Sequence, residues 1–285
     1  MMAFAPIAIT WDLWAIREKG HLAMFDVSSR KAYLLAPVVF AACVLALLVT
    51  WAVMEPAALR HAFDQDGYSV FELATIPFYA AIIPLVWWKC PFTGSRRRRA
   101  LLCAAVSCVA FMAVAKELDW HLAVMKHLFP SIVGADGNVH GLFKPNGAPL
   151  TGTPFKMRFL TNGSAPLAAK ACVLFYFGAF FGVFAALLAY YALPLFQGFF
   201  RLHPVAWSTC FFGGSGVMVA VMDRLPAWYR HTHGLGKDEV VNNAFGSFCT
   251  CFEEGGEMMI AIFALLAILQ AHTIYTRQIA PHCDL

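Results

Sequence analysis

Residues 249–272 read CTCFEEGGEMMIAIFALLAILQAH. As a helix this stretch is long enough to cross a bilayer, for which about 20 mostly apolar residues suffice. Its head nevertheless carries Glu253, Glu254 and Glu257. A carboxylate in hydrocarbon is costly and is kept where it has a task. The stretch therefore predicts the class of fold and asks what the three acids hold.

Five further segments read the same way: residues 32–54, 69–88, 100–120, 167–196 and 205–222, with 248–271 as the sixth. The 285-residue chain is 60% hydrophobic and 13% charged, against roughly 25% charged in soluble domains. Backbone polar groups in lipid must be satisfied within the segment, so these spans are helices. The expected fold is all-α, a polytopic membrane bundle of six helices over 32–272. A segment 1–31 precedes it, and a tail 273–285 follows. Trp11, Leu13, Trp14 and Ile16 would anchor an amphipathic surface helix in 1–31, with a loose tail as the alternative. No clean apolar region with a small-residue cleavage site marks a secretory signal.

Lys and Arg set orientation. Arg17, Lys19, Arg30, Lys31, Lys89, Arg96, Arg97, Arg98, Arg99, Arg201 and Arg277 fall on one side. Arg60, Lys126, Lys144, Lys156, Arg158, Arg224, Arg230 and Lys237 are spread more thinly over the other. Both termini are expected to be cytoplasmic. The SRRRR run reads first as a topology anchor and second as a lipid head-group contact. The net charge of +4 is explained by topology and argues little for nucleic acid. The nine cysteines include no CxxC pair. Most lie in apolar segments, where Cys behaves as a small hydrophobe.

The acids are distributed differently. Of seventeen Asp and Glu, only Asp12, Glu18, Asp26 and Asp284 fall on the cytoplasmic side. Glu72, Glu117, Glu253, Glu254 and Glu257 lie at a similar depth in the outer part of three different spans, where such groups should face the bundle interior. Glu117 and His121 are four apart and would share a helix face, as would Glu253 with Glu257 and Glu254 with Glu257.

Carboxylate plus imidazole suits Zn, Mn or Fe, and pairs at i,i+3 or i,i+4 on facing helices are how bundles build such sites. Glu117, His121, Glu254 and Glu257 would be the ligands of a divalent metal. Glu253 or Glu72 would be the acid or base, and Lys116, Asp223 and Arg224 would support them. A metal-activated water of pKa about 7 would be the reagent of a membrane enzyme acting on a lipid-linked or periplasmic substrate. Lys116 and Arg224 lie at the same level, however. They would equally neutralise the acids in a non-catalytic structural or accessory subunit that meets other membrane subunits. A cation or proton conductor is the third reading, and no comparable polar residues continue it toward the cytoplasmic side.

Other signals are local. The outer segment 121–166 holds GADGNVHG and KPNGAPLTGTP and reads as a loop with turns. It contains His127, His140 and the sequon Asn162-Gly-Ser. His231-Thr-His233 reads as a loop pair, and Cys249-Thr-Cys251 diverges on a helix. Gly213, Gly214, Ser215 and Gly216 are expected to let helices approach closely.

The order of three elements is also familiar: DGYSVFELATIPF from Asp66, the basic run SRRRR, and AKELDWH ending at His121. It resembles a group of uncharacterised bacterial polytopic inner-membrane proteins with a D-G-x-x-x-F-E helix entry, a basic turn and an E-x-x-W helix end. Lys116 stands where that group has a first Glu, and His121 where it tends to have Gly. The resemblance covers residues 66–121. It implies that Glu72, Glu117 and Trp120 belong to one pattern in a bacterial inner membrane, and it implies no reaction.

Overall fold

The computed structural model describes residues 27–63, 69–92, 94–143, 147–150, 152–236, 239–240 and 243–279. The surface helix expected within 1–31 falls mostly outside them. Among the described residues there are nine helices: α1 (Val27–Val53), α2 (Pro56–Phe63), α3 (Val70–Lys89), α4 (Arg96–Glu117), α5 (Trp120–Leu128), α6 (Met157–Leu160), α7 (Leu167–Phe200), α8 (Pro204–His233) and α9 (Ala244–Ile279). Two isolated β-bridges, Val133–Val139 and Phe143–Pro149, are the β-structure found among these residues. Helices α1, α3, α4, α7, α8 and α9 are long and apolar enough to cross a membrane. The chain is an all-helical, multi-pass membrane protein.

Local chemistry sets the helix ends. Ser69 caps α3: its Oγ accepts from the Glu72 N–H at 3.1 Å, while Glu72 Oε2 accepts from the Ser69 N–H at 2.7 Å. This reciprocal capping box satisfies two otherwise orphaned donors. Pro204 starts α8, and Gly234 ends it in the left-handed conformation that favours glycine. Proline sits inside α1, α3, α7 and α8, as membrane helices tolerate.

Two compact units divide the chain. The first comprises the described residues up to Cys103 together with those from Tyr190 onward. Here α9 packs against α8, α3, α1 and α2. Phe263 meets Phe40 and Phe211, and Ala36, Leu47, Met259 and Cys251 fill the same core. Ser208 Oγ of α8 donates to the buried Gln270 Oε1 of α9 at 2.7 Å, which satisfies two polar groups in the apolar interior.

The second unit, Ala104–Ala189, contains residues 121–166. The loop with turns expected there closes around a core of its own, in which Met125, Val133, Val139, Leu150 and Phe159 pack with Ala169 and Val173 of α7. Hydrogen bonds from the His140 N–H to the Ile132 carbonyl and from the Leu150 N–H to the Leu142 carbonyl hold two short antiparallel pairings. Turn residues gave the loop reading. The apolar residues between them give the core.

Candidate functional site

The expected site residues divide between the two units. Glu117 and His121 belong to the second, and Glu72, Glu253, Glu254 and Glu257 to the first.

In the second unit α4 ends at Glu117 rather than running through Trp120. Asp119, in left-handed geometry at φ 51°, breaks the chain direction before α5. The shared helix face expected for Glu117 and His121 therefore does not form, because the spacing rule holds only along a continuous helix. The Glu117 side chain is 3% exposed, with Lys116 Nζ 3.2 Å from its Oε1. His121 turns back on the end of α4, where its Nδ1 lies 3.4 Å from the Ala115 carbonyl. Its ring stacks on Tyr176 and meets the edge of Phe155. Burial in this aromatic setting pulls the His121 pKa down, and the Lys116 cation adds to that. The Ala115 carbonyl and Asp119 oppose it.

In the first unit Glu253, Glu254 and Glu257 occupy one stretch of continuous α9, each half-buried. The spacing expected for them is realised. Between them Gly255 and Gly256 are fully packed. A Cβ on Gly255 would stand 2.3 Å from Leu47 Cδ2 of α1, and one on Gly256 would stand 2.7 Å from Val219 Cγ2 of α8. The Tyr79 hydroxyl of α3 donates to the Glu257 carbonyl at 3.0 Å. The acids thus ride on the turn where three other helices close on α9.

The close approach had been expected of Gly213, Gly214, Ser215 and Gly216. A Cβ on Gly213 or Gly214 would touch nothing within 4 Å. Ser215 and Gly216 do face α9, a Cβ on Gly216 lying 4.0 Å from Ile260 Cδ1, and Ser215 is the more tightly engaged. It is fully buried, and its carbonyl lies 3.8 Å from the position a Gly256 Cβ would take. The glycines that matter were masked in the sequence by the glutamates around them.

The remaining candidates have local roles. Glu72 spends a carboxylate oxygen on the capping box. Asp223 and Arg224 pair with each other at 3.3 Å on an exposed part of α8. That helix continues to His233, so His231 and His233 lie in its last turn and not in a loop. His233 Nδ1 is 3.0 Å from the Tyr229 carbonyl. Cys249 and Cys251 are buried in the core. Asn162 is buried, its amide nitrogen donating to the Phe143 carbonyl at 2.8 Å and its oxygen accepting from Ser164, so in the folded chain the sequon is used for packing.

Sequence reading missed one arrangement within residues 121–166. His140 Nε2 lies 3.0 Å from Asp136 Oδ1, and Asn138 donates to both Asp136 oxygens. These donors hold the Asp136 carboxyl well below the usual carboxylate range. The trio edges a cleft of about 330 Å³ floored by Leu142, Phe143, Pro149 and Leu150. The alternation Asp-x-Asn-x-His in GADGNVHG was the available signal.

Among the described residues, no three His, Cys, Asp or Glu side chains are grouped as a metal ion would require. Comparisons of the chain with protein-family models, with curated proteins and with solved structures found no match.

Proposed function

We propose that the protein is a non-catalytic accessory subunit of a bacterial inner membrane, with both termini cytoplasmic and its outer acids serving structure. The observation that carries this reading is the Lys116–Glu117 pair, in which a carboxylate that is 3% exposed has a cation 3.2 Å away. Glu72 and Asp223 are likewise engaged, one with a helix cap and one with Arg224. A buried charge that is paired and bonded is a structural element as readily as a reagent. The inner-membrane assignment rests on the resemblance over residues 66–121 and the bias of Lys and Arg.

A second reading is favoured by α9. Glu253, Glu254 and Glu257 are half-buried within about one turn of α9, and Zn, Mn or Fe drawn to these carboxylates would make the chain a metal-dependent enzyme for a lipid-linked or periplasmic substrate. One measurement separates the two: elemental mass spectrometry on detergent-purified protein, wild type beside Glu254→Gln and Glu257→Gln. The accessory reading expects no stoichiometric metal in any of the three, even after incubation with the candidate ions. Near-stoichiometric metal in the wild type, lost in both variants, would replace it with the enzyme.

A further inference from the structure

Only a short turn separates the end of α3 at Lys89 from the start of α4 at Arg96. Both helices are long and apolar enough to cross a membrane, so the turn lies at a membrane surface. Lys89, Arg96, Arg97, Arg98 and Arg99 crowd around it, and the chain has no acid between Glu72 and Glu117. Among the described residues, none of the four arginines is ion-paired with a carboxylate.

Some of these cations are held in place. Arg98 folds against the backbone of Gly94, whose φ of 110° suits glycine. Its guanidinium hydrogen-bonds the Tyr190 hydroxyl and lies 5.3 Å from that ring, while its N–H donates to Ser95 Oγ at 3.3 Å. Arg99 is half-buried, and its Nε is sealed from solvent without a protein partner. A buried donor left unsatisfied is expensive. Arg96 and Arg97 are exposed beside it. On the α3 side Trp87 and Trp88 are exposed, and Lys89 Nζ stands 3.8 Å over the Trp88 ring. Exposed tryptophan at a span end is a mark of the headgroup layer.

We propose that this turn binds the headgroup phosphate of an anionic glycerophospholipid. The phosphate oxygens would accept from the exposed guanidinium groups of Arg96 and Arg97 and from their backbone N–H groups in the first turn of α4, where helix N-termini favour anions. The charge of the two arginines adds attraction from the surface. Arginine forks match phosphate geometry better than a point charge does. The lipid is preferred to a soluble phosphate because the flanking tryptophans and two apolar helices offer its chains a place that a free ion does not use.

Native mass spectrometry of the full-length protein in detergent tests this, with phosphatidylglycerol and phosphatidylcholine of identical chains as probes. The wild type should retain phosphatidylglycerol over phosphatidylcholine by about tenfold or more at low ionic strength. The preference should shrink as salt rises from about 0.05 to 0.5 M and the screening length shortens. The double variant Arg96→Gln/Arg97→Gln should lower phosphatidylglycerol retention by about fivefold per arginine and leave phosphatidylcholine unchanged. The salt series uses wild-type protein alone, so it stands even where a variant fails to insert. Equal retention of the two lipids by the wild type, or a preference indifferent to salt, would overturn the proposal. So would loss of the preference to excess inorganic phosphate, which would give the site to the free anion.

Discussion

Glu117 and the glutamates of α9 face the same difficulty, a carboxylate withdrawn from water, and the two regions meet it differently. Glu117 sits at a helix end, against the lysine that precedes it, where the backbone reverses at Asp119. Lys116 is its neighbour in sequence, and Tyr176 of α7 reaches the same carboxylate from farther along the chain. Glu253, Glu254 and Glu257 sit within an unbroken helix, on a turn gripped by α1, α3 and α8. Their setting is made from residues far away in the chain. An embedded acid is thus a poor guide to function until the elements around it are known. One region is a local charge pair, and the other is a junction of helices.

The sharpest way to break this comparison is at the junction. Gly255→Ala would drive a methyl into Leu47, striking both Cδ atoms and approaching Cγ to 3.0 Å. Leu47 is 6% exposed and has little room to turn. Overpacking of this kind costs about 1–3 kcal/mol, so thermal unfolding in detergent should occur at clearly lower temperature. Gly213→Ala, which meets open space, should change stability by less than about 1 kcal/mol through helix propensity alone. Leu47→Ala in the Gly255→Ala background should recover part of the loss. Equal effects of Gly255→Ala and Gly213→Ala would mean that α9 is not pinned at its glutamates.

A smaller effect is expected at the other region. The Lys116 side chain is 52% exposed, so water screens much of its attraction to Glu117. Pairs of this kind are worth about 0.2–1 kcal/mol. Lys116→Met and Glu117→Gln, alone and together, should give a coupling energy in that range in a double-mutant cycle. A coupling indistinguishable from zero would show that Lys116 is not what keeps Glu117 in place, and the accessory reading would lose its main support.

The legible part of this molecule was the part written in long apolar runs. Six spans of about 20 residues could be read directly, because in lipid the backbone has few alternatives to a helix. The acids of α9 were legible too, since their spacing lies within one continuous helix. The break at Asp119 was not. A single non-glycine residue in left-handed geometry leaves no strong mark in sequence, and it undid the pairing of Glu117 with His121. The fold of residues 121–166 was hidden for a related reason. Its core residues, such as Met125, Val133, Val139 and Phe159, are scattered between turns with no regular period, so nothing in the spacing announced that they meet. Glu72 shows the reverse error. Ser69-x-x-Glu72 is a capping box on its face, yet the depth of the acid in an apolar segment drew attention from the commoner role.

The smallest expected effect probes the surroundings of Glu117 by pH. Burial holds His121 neutral in the folded chain, so its folded pKa lies below the ordinary value of about 6.5. The unfolded chain then takes up the proton first as pH falls. Stabilisation from the neutral ring is complete above about pH 6.5 and is lost as pH drops from there through the folded value. Burial shifts His203, at the start of α8, in the same direction, so the wild-type slope is shared between the two units. Thermal unfolding followed between about pH 7.5 and 5 should show a shallower decline in His121→Gln, a shallower decline in His203→Gln, and the flattest in the double variant. A slope unaltered by His121→Gln would mean that the ring is not held neutral among Phe155 and Tyr176.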